Sequence, residues 1–231
     1  MHSRSKYSIA LACLCLSASS LSVSTIVLAQ DANMTFFITS AGPGKGGDLG
    51  GLEGADAHCN ALASAAGSEL KDWKAYLSVA AKIERGDGGA KVIPGVDARD
   101  RIGSGPWHNA KGELIANDID ELHSSNNISK ETGLDENGKR VNARGDKPNK
   151  HDILTGSTPQ GMYSTAGGDT TCNGWTSSGE GSAIVGHHDK VGLSKDRHMV
   201  SWNSAHGSAG CSAEALPRTG GDGLFYCFHS K

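Results

Sequence analysis

Aromatic residues are scarce, at 5% of a 231-residue chain, whereas glycine occurs 32 times. That balance argues against a large aromatic core and for loop-rich structure held by cross-links. Basic charge is not in excess: Lys and Arg number 22 against 25 Asp and Glu, a formal net charge of −3. A net acidic chain is a poor nucleic-acid or heparin binder. After the N-terminal segment there is no apolar run long enough to span a bilayer. No Cys-x-x-Cys, no Gly-x-Ser-x-Gly and no His-Glu-x-x-His is present. Zinc-finger, nucleophile-elbow and zinc-protease signatures are therefore missing.

What is there begins with the N-terminus. Arg4 and Lys6 precede an apolar stretch, and Val27-Leu28-Ala29 is a small-x-small cleavage pattern. The expectation is a signal peptide over 1–29, a short tail over 30–35, and one domain over 36–231. Removing the leader moves the formal charge to about −5. The protein would be secreted, periplasmic or at the cell surface, and peripheral to a membrane at most. Cys13 and Cys15 would leave with the leader. Cys59, Cys172, Cys211 and Cys227 remain, which implies two disulfides with three pairings open.

Met34 to Ile38 reads as a first strand. Leu52, Ala55, Cys59, Leu62 and Ala66 repeat at helical spacing, with Gly67 as the stop. Trp73, Ala75 and Leu77 alternate with Lys74 and Tyr76, the pattern of a half-buried strand. The stretch from Glu84 to Gly103 reads mostly as loop. A turn at Asn109–Gly112 leads into a short strand over Glu113–Ala116, and Asn137-Gly138 marks a tight turn. Residues 124–150 read as a long polar surface loop. Gly42-Pro-Gly44-Lys-Gly-Gly47 is a literal dinucleotide-type glycine pattern. The next strand ends without an acidic residue to hold a ribose, so that reading fails.

The ordered segments GDLGGLEGADAHCNALASAAG, WKAYLS, ARDRIGSGPWHNAKGELIA, ILTGSTPQG with TTCNGWTSS, and SWNSAHGSAGCS with GLFYCF carry a resemblance. They resemble the endostatin domain at the C-terminus of certain collagens. They are more similar still to a bacterial family of exported lectin-like domains, over essentially all of 36–230. The resemblance implies an α+β, C-type-lectin-like (endostatin-like) domain with long loops. It also implies nested disulfides, Cys59 with Cys227 and Cys172 with Cys211.

Sugar-binding C-type lectins hold calcium through a Glu-Pro-Asn or Gln-Pro-Asp motif and a Trp-Asn-Asp motif. Here Asp146-Lys147-Pro148-Asn149 and Trp202-Asn203-Ser204 fall in the matching order. Lys147 and Ser204 stand where acids are needed, which argues against calcium. Trp107, after Gly105-Pro106, would stack on a pyranose if exposed, or anchor its loop on the core. The candidate ligand-binding set is thus Trp107, Asp146, Asn149, Trp202 and Asn203. His187, His188 and Asp189, followed by His198 and His206, are the candidate metal residues; hydrogen-bonded loop histidines are the alternative. No spacing marks an acid/base pair. The expectation is a non-enzymatic, carbohydrate- or protein-binding module without a required cofactor, acting on a cell-surface or matrix glycan or a surface protein. The rivals are a metal-dependent enzyme using residues 187–206 and a structural component of an envelope assembly.

Overall fold

The computed structural model describes residues 33–230. The expected leader, the cut near Gln30, Cys13 and Cys15 lie outside the described residues. The chain is mixed α+β, mostly sheet with few helices. Its elements are β1 (Phe36–Ile38), α1 (Gly51–Ala65), β2 (Trp73–Ala75), β3 (Lys82–Gly86), β4 (Gly89–Ile93), β5 (Trp107–His108), β6 (Leu114–Ala116) and α2 (Ile119–Leu122), then β7 (Asp152–Leu154), α3 (Cys172–Trp175), β8 (Ile184–His187), β9 (His206–Gly207) and β10 (Gly221–His229).

The longest strand, β10, organises the sheet. Its continuous apolar run Leu224–Phe228 is buried, as expected of a strand covered on both faces. Near its C-terminus it pairs antiparallel with both β1 and β2; near its start it pairs parallel with β7. From there β7, β8 and β9 follow as antiparallel neighbours. Successive side chains of a strand face opposite ways. Phe37, Trp73, Phe225 and Cys227 therefore join the α1 side of the core, and Phe36, Ile38, Tyr226 and Phe228 the other.

All four phenylalanines, all four tryptophans, Tyr76 and Tyr226 are buried. This qualifies the expectation against a large aromatic core: these ten are few, but all of them pack into the two core clusters. Phe36–Phe228, Phe37–Trp73 and Trp107–Phe228 have ring centroids 4.9, 5.0 and 5.3 Å apart. Tyr76, expected on the solvent side of β2, is fully buried in the second cluster.

Helix α1 buries Ala55, Cys59 and Ala63, four residues apart. Small side chains on that stripe let the helix lie close to the sheet. It ends in a double closure, Gly67 N–H to Ser64 O and Ser68 N–H to Ala63 O, which satisfies carbonyls that would otherwise have no partner. Asp56 fixes the helix laterally: it accepts two hydrogen bonds from Arg101 Nη2, both 2.8 Å, and one from the Ala75 N–H at 2.9 Å.

Cys59 is bonded to Cys227 and Cys172 to Cys211, the nested pairing implied by the resemblance. Bonded cysteines fit an oxidising compartment. Among the described residues no helix is long and apolar enough to cross a membrane. The glycine pattern at 42–47 packs against the inner bridge rather than cradling a phosphate. A Cβ on Gly47 would lie 2.7 Å from Cys172 Sγ, a separation only glycine permits.

Two loop expectations change. Lys82–Gly86 and Gly89–Ile93 form an exposed hairpin, turning at Asp87-Gly88. Residues 124–150 are not simply a surface loop: Ile128, Leu134, Val141 and Ala143 are buried. The Leu134 carbonyl accepts from Ile38 N–H, and Glu136 accepts from Ser40 N–H. This segment covers the outer side of β1. The turns at Asn109–Gly112 and Asn137-Gly138 form as expected.

Candidate functional site

Strands β7, β8 and β9 bring four side chains to one point. Asp152 lies directly opposite His187, and His206 opposite Val185. Cross-strand partners share a face, as do residues two apart on one strand. Asp152, His187 and His206 therefore project from the same side of three adjacent strands, and His151 reaches in from just before β7. Close approach of the 199–203 segment is needed behind them: a Cβ on Gly186 would lie 1.8 Å from the Trp202 carbonyl oxygen.

The distances are short. Asp152 Oδ1 is 3.2 Å from His151 Nε2, 3.3 Å from His187 Nε2 and 3.7 Å from His206 Nε2. His187 Nε2 is 3.0 Å from His206 Nε2. The rings of His151 and His187 stack at 4.2 Å with 12° between planes. His151, Asp152 and His187 are 2% exposed or less, whereas the His206 side chain is 25% exposed. Each ring's other nitrogen faces an oxygen: His151 Nδ1 the Asp189 carboxylate (3.2 Å), His187 Nδ1 the Met199 carbonyl (2.7 Å) and His206 Nδ1 the Gly207 carbonyl (3.0 Å).

Asp189 is held by three donors: His151 Nδ1, the Val191 N–H and the Arg144 N–H. Burial pushes its carboxyl up, but those donors outweigh burial and hold it down at about 2. His188 faces away from the cluster, its Nε2 donating to the Asn142 carbonyl; burial lowers its pKa.

Of the candidate metal residues, then, His187 enters the cluster, Asp189 supports it through His151, and His188 belongs elsewhere. His151 and Asp152 were missed, and His206 was named only as a follower in the histidine-rich stretch. The visible signal was His151-Asp152 at the head of the apolar Ile153-Leu154 pair, but sequence alone could not place it opposite His187.

The candidate ligand-binding residues do not meet. Trp107 is 1% exposed and packs edge-on against Phe228; its indole is a core anchor, which corrects the stacking role. Asp146 accepts from the Ala143 N–H and from Lys130, and Asn149 Oδ1 accepts from the His151 N–H. Asn203 donates to Tyr76 Oη, Thr158 O and Pro159 O, and its Oδ1 accepts from Ser201 Oγ. Trp202 packs on Tyr76 and Tyr226. These oxygens are engaged in local turns and a buried network, not gathered as the six to eight that calcium takes.

Trp202 and Asn203 instead border a surface cleft of about 510 Å³ that neither Asp146 nor Asn149 reaches. Its twelve lining residues include His123, Gln160, Lys190, Arg197 and His198, and no Asp or Glu. The Lys190 ammonium donates to the Asn126 carbonyl at 2.8 Å, and burial lowers its pKa. At the cleft floor His123 Nδ1 donates to the Ile119 carbonyl, leaving Nε2 to accept from Tyr76 Oη at 2.7 Å. A larger recess of about 750 Å³ between α1 and β4 carries Glu53 and Asp169.

Compared with known proteins, the chain matches no family model and no curated protein.

Proposed function

We propose that this protein is an exported binding module on a C-type-lectin-like frame, and that it recognises an acidic glycan at the cleft floored by Trp202 and Asn203. One observation carries the reading. In a chain with net negative charge, this cleft collects the cations Lys190 and Arg197 without a single carboxylate. A concave patch of one sign in a chain of the other focuses potential on a ligand of opposite charge. Arg197 offers the planar fork that matches carboxylate or sulfate, and Gln160 adds neutral donors and an acceptor suited to hydroxyls. The cleft volume is that of a small-molecule or saccharide-unit site. Its walls come largely from loops on a frame tied by two disulfides, the usual arrangement for recognition.

The test is a glycan array run at low and high salt, with uronate- and sulfate-bearing glycans beside neutral ones. Binding should favour the acidic set, weaken with salt, and fall in Arg197→Gln. Binding confined to neutral glycans, or none at any salt, would count against the reading.

A further inference from the structure

Three imidazoles converge on the buried carboxylate of Asp152. The Asp189 carboxylate and the Met199 and Gly207 carbonyls only accept hydrogen bonds. His151, His187 and His206 must therefore each carry a proton on Nδ1. In its neutral, metal-binding form each ring then presents an Nε2 lone pair. Those lone pairs face one another and a carboxylate: Nε2 to Nε2 at 3.0 Å, and Nε2 to Asp152 Oδ1 at 3.2, 3.3 and 3.7 Å. Neither Asp152 oxygen receives a hydrogen bond, although the residue is 1% exposed. A buried carboxylate needs a cation beside it, and three imidazole nitrogens converging on one carboxylate oxygen are the donor set of a bound metal ion.

We propose that His151 Nε2, His187 Nε2, His206 Nε2 and Asp152 Oδ1 bind one zinc-class divalent transition-metal ion. Four ligands held tetrahedrally at about 2.0–2.1 Å lie about 3.3–3.4 Å apart; four of the six separations are given above and bracket that value, and the ligand atoms of His151, Asp152 and His187 all lie within 4.8 Å of one another, with His206 at the solvent edge as the fourth ligand. Three imidazoles and one carboxylate suit zinc rather than calcium or magnesium. The surrounding shell is also of the expected kind. Asp189 holds the far side of His151, and main-chain carbonyls hold His187 and His206, fixing ring orientation before the ion arrives. His206, a quarter exposed, gives the ion its path from solvent.

With His206 as the fourth ligand the protein itself fills the coordination shell, which makes the site a structural one. It clasps β7, β8 and β9, the half of the sheet that the Cys59–Cys227 bridge does not reach. The inference is independent of the glycan reading: the cluster and the cleft floored by Trp202 and Asn203 share no residue.

The test uses untagged, oxidised protein, stripped with chelator and titrated with zinc or cobalt(II). The expected result is one ion per chain, tetrahedral-type visible bands for cobalt that zinc displaces, and a higher unfolding temperature with zinc. His206→Ala, at the solvent edge, should lower affinity about 100-fold or more, and Asp189→Asn about 10–100-fold. His58→Ala, on α1, should leave it unchanged. A folded wild-type protein that takes up no stoichiometric metal would overturn the proposal. So would uptake that His206→Ala and His187→Ala leave intact, as would octahedral-type cobalt bands.

Discussion

Replacing Cys59 and Cys227 together with alanine removes the outer disulfide and leaves the inner one. The outer bridge spans 168 residues; the inner spans 39 and lies wholly inside it. With the inner bridge intact, the unfolded chain is short-circuited there, so the outer bridge closes an effective loop of about 130 residues. The chain-entropy relation then gives about 5 kcal/mol at 25 °C for the outer bridge and about 3.9 kcal/mol for the inner one. A domain of this size has about 5–15 kcal/mol in total, so losing the outer bridge removes a third of it or more. At about 2–4 °C per kcal/mol, the melting temperature should drop by about 10–20 °C. Urea unfolding of the two double-alanine variants provides the assay. Losing the outer bridge should cost more than losing the inner one, and should raise the urea m-value because the unfolded chain expands further. All four cysteines are 0% exposed, so side-chain truncation weighs equally on both variants. An outer-bridge variant as stable as the wild type, or more stable than the inner-bridge variant, would refute the claim that restricting the unfolded chain is what this bridge does.

Arg101→Ala should cost about 3–5 kcal/mol in a urea melt, because it strips Asp56 of the guanidinium nitrogen that bonds both its oxygens, at a site where the arginine is only 10% exposed; a loss under 1 kcal/mol would mean that water or Lys74 compensates. Trp107→Ala should cost about 3–5 kcal/mol by opening a cavity beside Phe228, while glycan binding per folded molecule stays unchanged; lost binding at full stability would reinstate Trp107 as a contact residue. Burial pushes the Asp135 carboxyl up, only partly offset by the Lys139 N–H, so it ionises at higher pH in the folded chain than in the unfolded one. Stability should therefore fall as pH rises from the unfolded carboxyl value of about 3.9 through the folded value, and Asp135→Asn should flatten that decline; an unchanged slope in pH-dependent melts would rule this out. Lys190→Gln should leave the fold intact yet weaken acidic-glycan binding about tenfold, the loss expected for one charge-assisted contact; unaltered affinity at low salt would remove Lys190 from the site.

Local signals were legible wherever one segment decides its own structure. Ala55 and Cys59 marked the buried stripe of α1, Gly67 its end, and Asn137-Gly138 a turn, because helical spacing and turn chemistry act over a few residues. The β3–β4 hairpin was missed because Lys82–Gly86 and Gly89–Ile93 are exposed on both faces, so they show no alternation to read. Residues 124–150 were misjudged because their apolar members, such as Ile128 and Leu134, are isolated in polar sequence and bury themselves only against a distant strand. The four unpaired-looking cysteines established that cross-links were needed; which sulfurs meet depends on where α1 and β10 pack. Trp107 and the histidines show the same division. The chain alone determined that bulky apolar and imidazole side chains were present. Only antiparallel register, setting Asp152 against His187 and bringing β9 alongside, decided that three rings and one carboxylate converge, since contacts across 19 to 55 residues of sequence depend on packing and leave no periodic trace in the chain.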